Sequence, residues 1–106
     1  MDLIEKVEHI AEHYGYEKQS RQTQEECAEL IQAINKLARS KEEGIEAEVK
    51  ALKSVIEEMA DVKITVNQLA HLLHAEADVT IAAEKKIERQ IERIREKRKT
   101  QNTLER

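Results

Sequence analysis

Apolar residues recur at intervals of three and four along most of the chain, and no stretch alternates in twos. That period places them on one side of an α-helix, so the chain is predicted to be all-α. Leu3, Val7, Ile10 and Ala11 form a first stripe, on a helix over about 2–14 stopped by Gly15. Cys27, Leu30, Ile31, Ile34, Leu37 and Ala38 form a second, on a helix that starts near 20–23 and runs to about 39. The segment SKEEGIE (40–46) makes a turn. A third helix, about 46–74, is apolar around most of its circumference, from Val49, Leu52, Val55 and Ile56 through Met59, Val62, Ile64, Val66, Leu69, Leu72 and Leu73. A fourth, about 79–98, carries Ile87, Ile91 and Ile94. Asp78 or Thr80 is placed to cap it, unless the third and fourth helices are continuous. The expected fold is an antiparallel bundle of about four helices in one domain, residues 1–96, with a charged, frayed tail at 97–106.

At 106 residues, with no Phe, no Trp and only Tyr14 and Tyr16 as aromatics, the core must be built from Ala, Val, Leu, Ile and Met. A chain this short buries a modest fraction of its surface alone. A helix apolar on most sides needs cover on most sides. Both point to a bundle completed by oligomerisation, as a homo-dimer or homo-tetramer. Lys63 and Asn67 fall on the apolar stripe of the third helix and are expected at an interface between copies.

The acids change the picture most. Glu26 and Glu29 are spaced i, i+3 on the second predicted helix, and Glu58 and Asp61 are spaced likewise on the third. Residues so spaced share a helix face. Two such helices packed together aim all four carboxylates at one point. Their repulsion is relieved by a hard cation, and carboxylate oxygens suit Mg²⁺, with Mn²⁺ as a substitute. The plainer alternative is a solvated charged face, in a chain that is 38% Asp, Glu, Lys and Arg. Thr23-x-x-Glu26 also fits a helix capping box.

The sequences QEECAEL (24–30) and EEMADV (57–62) together read Glu-Glu-x-x-Glu, a spacer, then Glu-x-x-Asp. This resembles the all-α nucleoside triphosphate pyrophosphohydrolases, the MazG-like proteins, over roughly residues 10–95. The spacer insert (41–53) and the Val-Lys-Ile-Thr after Asp61 depart from the family's usual text. The resemblance implies Mg²⁺-dependent cleavage of a nucleoside triphosphate between its α and β phosphates, giving monophosphate and pyrophosphate. It implies Glu26, Glu29, Glu58 and Asp61 as metal ligands, and a catalytic, water-activating or supporting role for Glu25. Lys86, Arg89 and Arg93, on one face of the fourth helix, are the choice for gripping phosphates. Tyr14 and Tyr16 are the aromatics able to stack a base, Tyr14 being the choice, with Gln19 reading its edge. Tyr14 is alternatively a plug of the N-terminal core. A related enzyme acting on phosphoribosyl-ATP and a non-catalytic helical interaction protein are the other functional readings.

Charge and the remaining chemistry narrow the classes. Residues 1–84 carry nine Lys/Arg against eighteen Asp/Glu, whereas residues 85–99 carry eight against three. The acidic body argues against a nucleic-acid partner. No stretch approaches the roughly 20 apolar residues of a membrane span. The acidic N-terminus and lone Cys27, expected as a buried thiol, suit a cytoplasmic protein. There is no Gly-rich phosphate loop and no Glu-x-x-His motif, which sets aside P-loop nucleotidases and di-iron bundles. His71-x-x-His74 lacks a third ligand in sequence and is expected on a surface or interface.

Overall fold

A computed structural model describes residues 1–105. Among them the secondary structure is helical throughout: α1 (Leu3–Ser40), α2 (Ile45–Leu72) and α3 (Glu76–Glu105). The chain divides into two compact units, Met1–His74 and Ala75–Arg106.

The first unit is a hairpin of α1 against α2. Asp2 starts α1: its carboxylate accepts from the Glu5 amide at 2.8 Å, satisfying one of the donors a helix start leaves open. Gly15 sits at φ 83°, ψ 170°, outside helical space. The stop expected at this glycine is therefore a break within α1, after which the helix resumes at once rather than near residue 20. Thr23 is consequently an interior helical residue and not a cap. Its hydroxyl donates back to the Gln19 carbonyl at 2.7 Å, which removes the capping-box alternative for Glu26.

At its other end α1 closes with Ser40, whose hydroxyl donates to the Leu37 carbonyl at 2.6 Å. A tight turn follows, with the Glu43 amide donating to the Ser40 carbonyl at 2.9 Å. Gly44 at φ 109° then redirects the chain, a conformation that side-chain-bearing residues rarely adopt. Its carbonyl accepts the first helical bond of α2, from the Glu48 amide. Helix α2 ends before His74, which takes a left-handed φ of 53°. The third and fourth predicted helices are therefore separate.

The interior of the hairpin is narrow and built from small or polar residues: Ala11, Ala33, Ala51, Val55 and Ala70, with Gln19, Thr23, Glu26, Ser40, Thr65 and Gln68. Small side chains let two helices approach closely. Two polar layers cross the seam. Gln19 donates its amide to Gln68 Oε1 at 2.5 Å, and the Thr23 hydroxyl also reaches the Thr65 carbonyl at 3.4 Å. Leu30, Leu37, Val62, Leu69 and Leu72 are half-buried at its margins, and many of the larger apolar residues point elsewhere. Ile31, Ile34, Ile45, Val49, Leu52, Ile56, Met59 and Ile64 are all exposed. Cys27, expected in the core, is exposed as well. Tyr14 is 52% exposed and so is no core plug; its ring meets His13 edge-on.

The second unit is α3 alone. It begins earlier than expected, at Glu76, so Asp78 lies in its first turn. The Thr80 hydroxyl donates to the Glu76 carbonyl rather than capping the start. Residues 97–105 continue the helix. Ion pairs one turn apart, Arg95 with Glu92 at 3.5 Å and Lys99 with Glu96 at 3.9 Å, line its surface.

Candidate metal centre

The same antiparallel register that pairs Gln19 with Gln68 and Thr23 with Thr65 continues into the acids. Advancing along α1 by three or four residues and retreating along α2 by three or four sets Glu26 against Asp61 and Glu29 against Glu58. The acidic motifs are thus the next two rungs of the hairpin seam.

Glu26, Glu58 and Asp61 each offer an oxygen, and these three atoms lie within 4.8 Å of one another. Glu26 is the anchor. It is only 8% exposed, and Gln22, one turn earlier on α1, donates its amide to Glu26 Oε1 at 2.6 Å. The other oxygen, Oε2, is buried with no hydrogen-bond donor; the same holds for Glu58 Oε2. Buried acceptors without donors are costly. Glu58 is half-buried and Asp61 exposed, so the cluster opens to solvent on the α2 side. Glu29 is exposed and stands beside Glu58.

The titration of the α2 acids follows from this crowding. Desolvation raises the Glu58 carboxyl above its ordinary range, helped by the charge of Glu29, a hydrogen bond shared with it, and the charges of Asp61 and Glu26. Desolvation likewise raises Asp61, with the charge of Glu26 and a shared hydrogen bond adding to it. Crowded, partly desolvated carboxylates of one sign disfavour their charged forms, a strain that a bound cation would relieve.

The donor set fits a hard divalent cation: oxygen only, with two buried oxygens lacking donors and no thiol or imidazole among the three. The chain matches no protein-family model, no curated protein and no solved structure. The functional reading accordingly rests on the residues themselves.

The other expected residues are distributed as follows. Glu25 is exposed and lines a neighbouring cleft of about 440 Å³ with Tyr14, Lys18, Gln19, Gln22 and Gln68. Gln19 is buried with its amide committed to Gln68. Lys86, Arg89 and Arg93 are exposed on α3, in the second unit. His71 is half-buried and bonds Glu12 Oε1 through Nε2 at 3.0 Å. His74 lies beyond the end of α2, so the two histidines are not one helical turn of ligands. Lys63 and Asn67 are exposed within the chain. Gln22 was not singled out by the sequence motifs, although its i, i+4 spacing to Glu26 is a readable signal.

Proposed function

We propose that this protein is a Mg²⁺-dependent nucleoside triphosphate pyrophosphohydrolase of the MazG-like kind, acting in the cytoplasm as a homo-dimer or homo-tetramer. The observation that carries the reading is Glu26: a nine-tenths-buried carboxylate with an oxygen that lacks a donor, facing Glu58 and Asp61 across a helical seam. A merely solvated acidic face does not bury a carboxylate in that state. Glu26, Glu58 and Asp61 would hold the ion, with Glu29 next to Glu58 completing the set. Mg²⁺ supplies neutralisation of phosphoryl oxygens and a lowered pKa for a bound water.

In the reaction, the oxygen of one water attaches to the α phosphorus and the α–β bridging P–O bond breaks. Pyrophosphate leaves, the nucleoside monophosphate remains, and the water's proton passes to solvent. The cleft bearing Tyr14 and Gln19 adjoins the cluster through Gln22, which lines that cleft and bonds Glu26. That adjacency supports the cleft as the place for the base. The exposed apolar residues of α1 and α2 support assembly of copies.

The test is incubation with a panel of NTPs and dNTPs plus Mg²⁺. Pyrophosphate and monophosphate in equal amounts support the reading. Orthophosphate release means attack at the γ phosphorus and sinks it. Absence of product from every nucleotide, with a folded oligomer, favours the interaction protein.

A further inference from the structure

On the far side of the acid cluster from the Tyr14 cleft lies a second cleft, of about 410 Å³, lined by Glu29, Gln32, Asn35, Lys36, Arg39 and Glu58. Two of its walls, Glu29 and Glu58, are acids of the metal centre. We infer that this cleft is the subsite for the outer phosphates of the substrate, and for the pyrophosphate product, with Lys36 and Arg39 as its cations. This deepens the pyrophosphohydrolase reading and rests on it.

The placement follows from helix geometry. Glu29, Gln32, Lys36 and Arg39 are spaced i, i+3, i+7 and i+10, one continuous face of α1. Lys36 and Arg39 are rooted about 10 Å and about 15 Å along the axis from Glu29. Side chains on a helix lean toward its N-terminus. Both cations therefore lean back toward Glu29 and the metal centre. Among the described residues neither is held in an ion pair, so neither must leave a partner to meet an anion.

Charge requires such a site. Four carboxylates and a divalent ion leave the centre net negative, so the ion alone does not offset a polyphosphate. Cations one and two steps further along supply what is missing, as charge-assisted donors to phosphoryl oxygens. Gln32 and Asn35 add neutral amide donors to the same cleft. A helix C-terminus favours a basic residue, which accounts for Arg39 in the last turn of α1. It does not account for Lys36 or for a cleft shared with the acids. The α3 cations expected for this task are not needed, because Lys36 and Arg39 stand on the helix that bears Glu26 and Glu29.

The test is thermal melting of the full chain at fixed free Mn²⁺, with and without inorganic pyrophosphate. The wild type should gain stability from Mn²⁺ and gain again from pyrophosphate. Lys36→Gln with Arg39→Gln should keep the Mn²⁺ gain while its apparent pyrophosphate affinity falls at least about tenfold. Lys36→Arg should retain most of the affinity, and Lys50→Gln, on α2, should change nothing. A wild type without a Mn²⁺ gain refutes the metal centre itself. A normal Mn²⁺ gain with no pyrophosphate response, or one equal in wild type and double variant, refutes the subsite and leaves the metal centre standing.

Discussion

The two faces of the α1–α2 hairpin have exchanged the usual roles of inside and outside. The inner face holds Ala11, Ala33, Ala51 and Ala70 with glutamines, threonines and a glutamate. The outer face holds Ile31, Ile34, Val49, Leu52, Ile56 and Met59, of which Ile31 is 61% and Ile56 57% exposed. A seam of small and polar residues contributes little hydrophobic stabilisation, since that scales with the apolar area removed from water. What the inner face supplies is register and the acid cluster. What the outer face supplies is unspent apolar surface, which a partner copy can cover.

The largest effect should come from the inner face. Asp61→Asn preserves side-chain size and removes one charge from the acid cluster. It should lower the rate of pyrophosphate release at least about a hundredfold, about 2.7 kcal/mol, with folding intact. Glu48→Gln, on the same helix but outside the cluster, should stay within about twofold. Equal losses in the two variants would break the distinction between seam chemistry and bulk charge.

The outer face is tested by Leu52→Lys with Ile56→Lys. Both positions are exposed in the chain, so a monomer should tolerate them, while an oligomer should dissociate toward the 12.3 kDa chain in light scattering. Wild type already at that mass would mean that the apolar face stands uncovered.

A pH series without metal sharpens the inner-face account. Glu58 and Asp61 have folded-state pKa values above their ordinary ones. The folded state then binds protons more tightly than the unfolded state, so these groups oppose folding at neutral pH. That opposition fades as pH falls through the raised values toward the ordinary carboxylate range. Metal-free melting temperature should therefore rise modestly on going from pH 7 to mildly acidic pH, before general acid denaturation begins. Saturating Mn²⁺ should flatten or reverse that rise, because protons then compete with the ion. Glu58→Gln should weaken the rise. A metal-free profile falling steadily from pH 7 would contradict the crowding.

The smallest effect belongs to a position outside both faces. A Cβ on Gly15 meets nothing within 4 Å, so Gly15→Ala should cost only the backbone strain of φ 83°, ψ 170°, a region essentially reserved for glycine, about 2 kcal/mol. A larger loss would mean that the break in α1 does more than turn the helix.

The sequence was most legible where local spacing decides. The i, i+3 acids, the glycine break at Gly15, the turn before Ile45 and the all-helical pattern were each readable because neighbouring residues determine them. Cys27 is exposed rather than buried: periodicity identifies an apolar stripe without saying whether its own chain covers it. The same ambiguity hid the exchange of faces, in which Ile56 lies outward and Thr65 inward. Thr23 fits a cap in sequence, but Ser, Thr and Asp signal helix starts only when the preceding residues are not helical, and here the helix resumes directly after Gly15. Lys36 and Arg39 are not legible as a pair, because nothing in sequence shows that Glu58 forms the opposite wall of their cleft. The MazG-like activity itself stands as a proposal carried by those acids.

The ladder of facing residues, Gln19 to Gln68 through Glu29 to Glu58, gives a bound cation a second task. Slipping α1 past α2 by one residue displaces a ligand by about 1.5 Å and swings it by about 100°. Smooth alanine surfaces resist such sliding weakly. An ion tied to both strands of the seam would make every misaligned packing lose its coordination, so it would act as a key that admits one alignment of the helices. The seam would then be a vernier, with its zero mark set by the metal.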